Sequence, residues 1–399
     1  MDRKLKYNRG VVADKKVKIF IEALPLTTTK ISGIGYMLKS LVIELASNKA
    51  AKDYEVVLFV PKGAAKLVRQ HDFTGIAIAE LPLHQRFVTW FNFLGILPPV
   101  DRWLGPGVYL FGNYTNYPIS KKSYSMTFFY DLCFKRYPEL VEPKVRAVLR
   151  KFAPTWLART DLVLTASDFS KKEIAKFFPA SSKKISVIPG GVDGGVFYKR
   201  RQNETESLRK KYGLPKDYLL FLSNIEPRKN LERLVNAYAR LTPETRDKHP
   251  LVLVGGDGWL NKPIHDAITA ARAQGCSIVQ PKEYVVDEDL PALHSGAVAL
   301  LQPSIYEGFG LSPLQAMACG TPVLSSKTAS LPEVTGKAAV YVDPYNVEDI
   351  RDKLEQLLTD NDLRTELIRL GISRAKQFGW SKSTDDLLRL IKTARIPEL

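Results

Sequence analysis

The sequence predicts an α/β protein of two doubly wound domains that face each other across a central cleft. Three observations predict it. At 399 residues the chain exceeds what one hydrophobic core usually serves. Short β-branched runs alternate with helical stretches along its whole length. The alternation breaks once, in the polar stretch GGVFYKRRQNETESLRKKYGLPKD (194–217), and then resumes. With 45% hydrophobic and 25% charged residues, the chain has the composition of a globular protein and not of a disordered or fibrous one.

The first series begins with a strand in KVKIFIEAL (16–24), a helix in YMLKSLVIELASNK (36–49) and a strand in EVVLFV (55–60). Further strands are expected in GVYLFGN (107–113), SMTFFYD (125–131), DLVLTAS (161–167) and ISVIP (185–189). After the break come YLLFLSN (218–224), LVLVGG (251–256), SIVQ (277–280), AVALLQPS (297–304), PVLSS (322–326) and AAVYVD (338–343). Continuous apolar character suits strands buried on both faces of a parallel sheet. The implied division is 1–198, 199–379, and a last segment, 380–399. Open sheets of this kind bind ligands beyond the carboxyl ends of their strands, so the residues of interest should follow strands.

Charge and cysteine content narrow the setting. Residues 1–200 hold 32 Lys+Arg against 16 Asp+Glu, whereas residues 201–399 hold 26 of each, so the whole net charge of +16 lies in the first half. Such an excess is either a solvated surface or a face turned toward something anionic. Three widely spaced cysteines, Cys133, Cys276 and Cys319, and a charged rather than apolar start (MDRKLKYNRGVVADKK) point to a reducing, cytoplasmic setting. The most apolar run, FVTWFNFLGILPPV (87–100), is too short to span a bilayer. The wider segment 86–103 reads either as a buried helix, the better account of most of its side chains, or as a peripheral contact with an anionic membrane at its inner face.

Four motifs carry chemistry. YEGFGLSPLQAMACGTPV (306–323) follows a strand and leads into a helix near Leu311. Gly308 and Gly310 let backbone approach a ligand, and the N–H groups of the helix start favour an anion or hydroxyls. Glu307 could accept hydrogen bonds from sugar hydroxyls and Gln315 could meet another part of the same ligand; an ordinary strand-to-helix turn is the plain alternative. EPRKN (226–230) places Arg228 and Lys229 at a helix start, where two cations suit a diphosphate leaving group or merely a solvated surface. SGIGY (32–36) offers a glycine turn at Gly33 and Gly35 but neither the full G-x-G-x-x-G spacing nor a P-loop lysine, which argues against a dinucleotide site and a P-loop ATPase. YDLCFKRYPE (130–139) puts Asp131 at a strand end, as a cleft carboxylate, an N-cap, or a partner of Lys135 or Arg136.

In this order the motifs, with SDFSKKEIAKFF (167–178), ISVIPGGVD (185–193), GGDGW (255–259) and SLPEVTGKAAVYVDP (330–344), make the chain resemble glycosyltransferase family 4, in particular its mannosyltransferase-like bacterial group 1 branch. The resemblance implies a GT-B fold of two Rossmann-like domains, the first binding the acceptor and the second a nucleotide-sugar, with retention of anomeric configuration and the last helix, from near Trp380, returning to the first domain. It implies Glu307, Asp131, Arg228 and Lys229 as catalytic residues. Donor binding would fall to Gly33, Gly35, Arg228, Lys229, Phe309, Gly310, Leu311 and Gln315, with Tyr130 in the sugar pocket. The implied donor is GDP-mannose and the acceptor a glycan or lipid-linked glycan of cell-surface polysaccharide biosynthesis.

No cofactor is expected and no metal: the five histidines are scattered and fall in no metal-like cluster. Two positions depart from the family pattern, Tyr130 where His is common and Gln315 where Glu is common. They keep a non-catalytic or weakly active homologue, a partner in a polysaccharide-assembly complex, as the alternative. The absence of a second carboxylate pair near the cleft argues against an epimerase of the same fold. Nucleic-acid binding lacks zinc spacing, a recognition helix and aromatic-basic interleaving.

Overall fold

The computed structural model describes residues 16–28, 31–71 and 73–394. The charged start lies outside them apart from Lys16. Thirteen strands form two wholly parallel sheets. The first sheet comprises β1 (Val17–Glu22), β2 (Tyr54–Val60), β3 (Ala77–Glu80), β4 (Val108–Phe111), β5 (Tyr124–Phe128), β6 (Leu162–Thr165) and β7 (Ile185–Val187). Its order is β3-β2-β1-β4-β5-β6-β7. The second comprises β8 (Leu219–Leu222), β9 (Leu251–Val254), β10 (Ile278–Val279), β11 (Ala299–Gln302), β12 (Val323–Ser326) and β13 (Val340–Val342), in the order β10-β9-β8-β11-β12-β13. The architecture is the expected α/β pair of doubly wound sheets.

Every strand expected from the sequence is present, and one more. The extra strand, β3, is a short edge strand, Ala-Ile-Ala-Glu, with no fully buried residue and a single neighbour, β2. Nothing in its pattern marks it as a strand, because pairing on one side only asks for little apolar character. The central strands show the opposite: β4, β9, β11 and β12 are buried at every position.

The polar stretch 194–217 is not bare linker, since Gln202–Tyr212 within it is a helix ending at Gly213 in the left-handed region (φ 64°). Tyr212 on this helix donates its hydroxyl to Asp289 at 2.7 Å, which ties the helix to the second sheet's side of the molecule. The last helix, Trp380–Thr393, packs on the Gly33–Ser47 helix. Asn48 donates to Asp385 at 3.0 Å and Ser383 to the Pro189 carbonyl at 2.8 Å. One apolar cluster accordingly runs through both halves, joining Met37, Leu38 and Leu41 to Phe309, Trp380, Leu387 and Ile391. Among the described residues no helix is long and apolar enough to cross a membrane.

Candidate functional site

The cleft residues gather where the carboxyl ends of β5 and β6 meet those of β8 and β11. The turn after β8 places Arg228 and Lys229, because Asn230 adopts the left-handed region (φ 62°) and its amide donates to the Pro303 and Pro344 carbonyls at 2.9 and 2.7 Å. Both cations converge on Glu307. Lys229 Nζ donates to Glu307 Oε1 at 2.7 Å and Arg228 Nη1 to Oε2 at 2.9 Å. Gln302 and Ser304, at the end of β11, donate to the same Oε1 at 2.9 Å each. Glu226 closes the cluster, its Oε1 lying 2.6 Å from Arg228 Nε.

The charge states follow from this packing. Burial alone would raise the Glu307 carboxyl, but Lys229 and Arg228, together with the bonds from Lys229 and Ser304, hold it down to about 2. Burial would likewise lower Arg228, yet Glu307, Glu226 and Asp131 raise it above the ordinary guanidinium value, so it stays charged. The Arg228 and Lys229 side chains are thereby held against Glu307 in a largely buried turn, with Lys229 only 9% exposed. Such preorganisation lets a charge developing beside them be met without rearrangement.

The Glu307–Leu311 turn touches the first domain directly. Gly308 is required there by close approach: a Cβ would lie 2.5 Å from the Tyr130 carbonyl oxygen and 3.1 Å from Asp131 Cβ. The Gly308 carbonyl accepts from Ser167 Oγ at 2.8 Å and from Ser170 Oγ at 3.4 Å, while Ser170 also donates to the Tyr130 carbonyl at 2.9 Å. Gly310, at φ 127°, then opens the Leu311–Ala318 helix. Three further bonds cross the cleft nearby: the Leu132 N–H donates to Tyr306 Oη at 3.0 Å, Trp259 Nε1 to the Leu140 carbonyl at 2.8 Å, and the Asp168 N–H to Glu333 at 2.8 Å.

Asp131 does not sit on the strand end. β5 stops at Phe128, and Asp131 lies three residues on, accepting from the Cys133 N–H at 3.0 Å in a local turn. Tyr114, after β4, hydrogen-bonds it. No ion pair of Asp131 with Lys135 or Arg136 occurs; Arg136 instead lies 3.9 Å from Glu173. The Tyr130 ring is buried, stacked 5.0 Å from Phe128 at an interplanar angle of 5°, so its backbone carbonyl faces Gly308 while the ring belongs to the core. Burial and then Glu22 push its phenol above the ordinary range.

Gly33 and Gly35 lie in the first turn of their helix, capped by Ser32 Oγ accepting from the Gly35 N–H at 3.3 Å. A Cβ on Gly35 would lie 2.8 Å from the Pro25 carbonyl, whereas Gly33 meets nothing within 4 Å. Gln315 is buried, between Tyr36 and His294. Phe309 packs 5.9 Å from Phe378 and over Gly190. Arg228, Lys229, Glu307, Asp131 and the Gly308–Leu311 turn are thus brought to one place, with Gln315 and Gly35 on its flank. Glu226, Gln302, Ser304 and Tyr114 are cluster members that sequence reasoning missed. Glu226 stood inside EPRKN, but the other three look like ordinary strand-end residues. Among the described residues no group of three or more His, Cys, Asp or Glu could hold a metal ion.

This arrangement has counterparts. The family model described as glycosyl transferases group 1 matches residues 204–374. O-antigen chain mannosyltransferase B of Escherichia coli is 36% identical over 270 residues, spanning 67% of this chain and 70% of that one. The chain belongs to the group 1 glycosyl transferases. Within the family, the serotype-specific mannosyltransferase WbdA of Escherichia coli is 32% identical over 230 residues, although the match covers only 28% of that longer protein. Among solved structures, WaaG, a glycosyltransferase involved in lipopolysaccharide biosynthesis, superposes with a TM-score of 0.71 at 16% identity over 95% of this chain and all of its own. HepE of Anabaena, solved with UDP and glucose, gives 0.69 at 18% identity over 95% of this chain and all of its own. These two likenesses are of fold. This group 1 glycosyl transferase is therefore an enzyme of sugar transfer with the two-domain architecture of its relatives.

Proposed function

We propose that the enzyme transfers mannose from GDP-mannose to a glycan or lipid-linked glycan in cell-surface polysaccharide synthesis, with retention and without a metal ion. The observation that carries the reading is the pair of half-buried Arg228 and buried Lys229, anchored on Glu307 beside the Gly308–Leu311 turn. In the proposed step the acceptor hydroxyl oxygen bonds to the anomeric carbon as the bond from that carbon to the phosphate oxygen breaks. The acceptor proton passes to the departing phosphate. Arg228 and Lys229 neutralise the charge that grows on the diphosphate, the role a divalent ion would otherwise take. Glu307 and the Gly308–Leu311 backbone hold the sugar, Gln315 the ribose, and Gly33 and Gly35 approach the phosphates from the first domain. The mannosyltransferase relatives support the sugar assigned.

The donor assignment is tested by thermal shift across GDP-, UDP- and dTDP-sugars followed by turnover. GDP-mannose should give the largest shift, about 2.7 kcal/mol at a hundred times its Kd. A UDP-sugar that stabilises and turns over while GDP-mannose does neither overturns it.

The place of action is proposed to be the cytoplasmic face of an anionic membrane. The segment 86–103 divides: Val88, Leu97 and Val100 are buried and Phe91 and Phe93 half-buried, while its other large apolar side chains face outward. On the Gln85–Leu94 helix, Phe87, Trp90 and Leu94 share one outward face, Trp90 being 58% exposed, and Ile96 and Trp103 continue the apolar surface. The exposed Arg86 and Arg102 sit in the same segment, the former 4.6 Å over the Phe87 ring. Apolar side chains bordered by arginines suit a headgroup boundary. Co-sedimentation with phosphatidylglycerol vesicles should be strong at low salt and abolished by Trp90→Glu with Leu94→Glu. Equal binding of the variant, or equal binding of the wild type to neutral vesicles, refutes this placement.

A further inference from the structure

Beside the donor cluster, a cavity of about 290 Å³ opens in the first domain alone. It stands at the carboxyl edge of the sheet: Glu22 ends β1, Asn113 and Thr115 follow β4, and Gln85 and Thr89 come from the helix above. β1, β4 and β5 are neighbours, so the cavity lies adjacent to the loop of Asp131, and Tyr114, which hydrogen-bonds Asp131, stands between Asn113 and Thr115 in the chain. A shallower recess of about 390 Å³, under Arg69 and Phe73 by β3, holds none of the cleft residues.

Beside the apolar Leu24, Pro25 and Phe93, the polar groups of the lining are amide, hydroxyl and carboxyl, without Lys, Arg or His among the described residues. Arg159, which reaches the lining residue Asn92, is occupied, its guanidinium bonding Asn92 Oδ1 at 2.9 Å and the Asn116 side chain and carbonyl. Gln85 donates to Thr89 at 3.0 Å, but its Oε1 has no hydrogen-bond partner among the described residues, nor has Asn113 Oδ1. Buried acceptors left in that state are costly unless a ligand supplies donors. Glu22 is pushed up to about 8 by burial, against the pull of the Leu24 N–H, so near neutral pH it carries a proton and can both donate and accept. The ring of Tyr117, buried in the same wall, adds a flat apolar surface.

We infer that this cavity binds the neutral sugar at the growing end of the acceptor glycan, with Glu22, Gln85, Thr89 and Asn113 reading its hydroxyls and phosphorylated sugars excluded. The inference rests on the transferase reading, which makes the first domain the acceptor side. It adds the class of acceptor: many hydroxyls and no charge match the lining, whereas a phosphate would find no cation and a carboxyl in its place. It also joins two roles in one helix. Gln85 and Thr89 lie on the face opposite Phe87, Trp90 and Leu94, so the element proposed to rest on the membrane is the one that lines the sugar site.

Saturation-transfer NMR on the full chain, with methyl α-D-mannopyranoside and mannose 6-phosphate as probes, tests it. The mannoside should bind and mannose 6-phosphate should bind at least roughly tenfold more weakly. Thr89→Trp, which fills the cavity from its half-buried rim, should abolish the mannoside signal while the thermal shift with GDP-mannose keeps its size. Glu22→Gln, which keeps the shape and loses the carboxyl, should raise the acceptor KM and leave the donor KM alone. Absence of mannoside binding, equal binding of the phosphate, or an unaltered signal in Thr89→Trp overturns the inference. Failure of GDP-mannose to shift the protein while the mannoside behaves as described instead overturns the donor assignment and leaves the cavity's role standing.

Discussion

Lys229→Ala is expected to lower kcat by at least ~100-fold, in keeping with the loss of one preorganised charge at a transition state. The side chain is buried and its ammonium lies 2.7 Å from Glu307, so no solvent cation can take its place at the same distance from a departing diphosphate. Arg228 remains on the other carboxylate oxygen and keeps Glu307 paired, so the fold should survive and kcat should fall further than stability does. Glu307→Gln has a complementary signature. The amide cannot anchor two cations, so turnover falls comparably, and the acid response changes too. Because the folded carboxyl sits near 2 rather than at its ordinary value of 4.5, its stabilisation is present above about pH 4.5 and is lost as pH falls toward 2. Melting temperatures of Glu307→Gln should therefore lie below wild type at neutral pH and converge with it toward pH 2. Near-normal kcat in either variant, measured at saturating donor and acceptor, removes the role assigned to this cluster.

Gly308→Ala should be nearly as damaging by a different route. The added methyl would meet the Tyr130 carbonyl at 2.5 Å and Asp131 Cβ at 3.1 Å, and backbone cannot swing aside as a flexible side chain could. The two domains must separate at the point where Ser167 and Ser170 grip the Gly308 carbonyl. Displacing reacting groups by about 1 Å costs on the order of 100-fold in rate. Donor binding should weaken less than turnover, since Arg228, Lys229 and Glu307 all belong to the second domain and keep their mutual contacts. The check is a pair of measurements, donor-induced thermal shift and kcat. A variant that turns over normally shows that the close approach is not part of the working geometry.

The legibility of these features in the sequence depended on how far apart their residues lie in the chain. Arg228 and Lys229 could be read because they are adjacent and follow a strand, and Gly308 and Gly310 because glycines before a helix signal close approach. Their convergence on Glu307 from 78 residues away is a product of the order β8-β11, which no local pattern reveals. Gln302 and Ser304 were hidden by their place at the end of a buried strand, where polar side chains look like exceptions in a core. The sugar cavity was less visible still: Glu22, Gln85 and Asn113 are contributed by three separate elements, and only the crossover from β1 to β4 brings them together. The segment 86–103 was only partly legible because burial and membrane contact select the same residue types, and only the packing of Val88 and Asn92 inward fixes which face turns out.

The chain crosses between the domains twice, and the two crossings are fastened together. Val192 donates its N–H to the Phe378 carbonyl at 2.8 Å, and a Cβ on Gly191 would lie 2.7 Å from the Trp380 nitrogen. Two covalent connections joined at one spot act as a spine: they permit the halves to swing about that line and resist sliding or twisting. Displacement then grows with distance from the spine. Phe309, packed over Gly190, sits beside that line, whereas Trp259 and Leu140 join the halves at a separate contact.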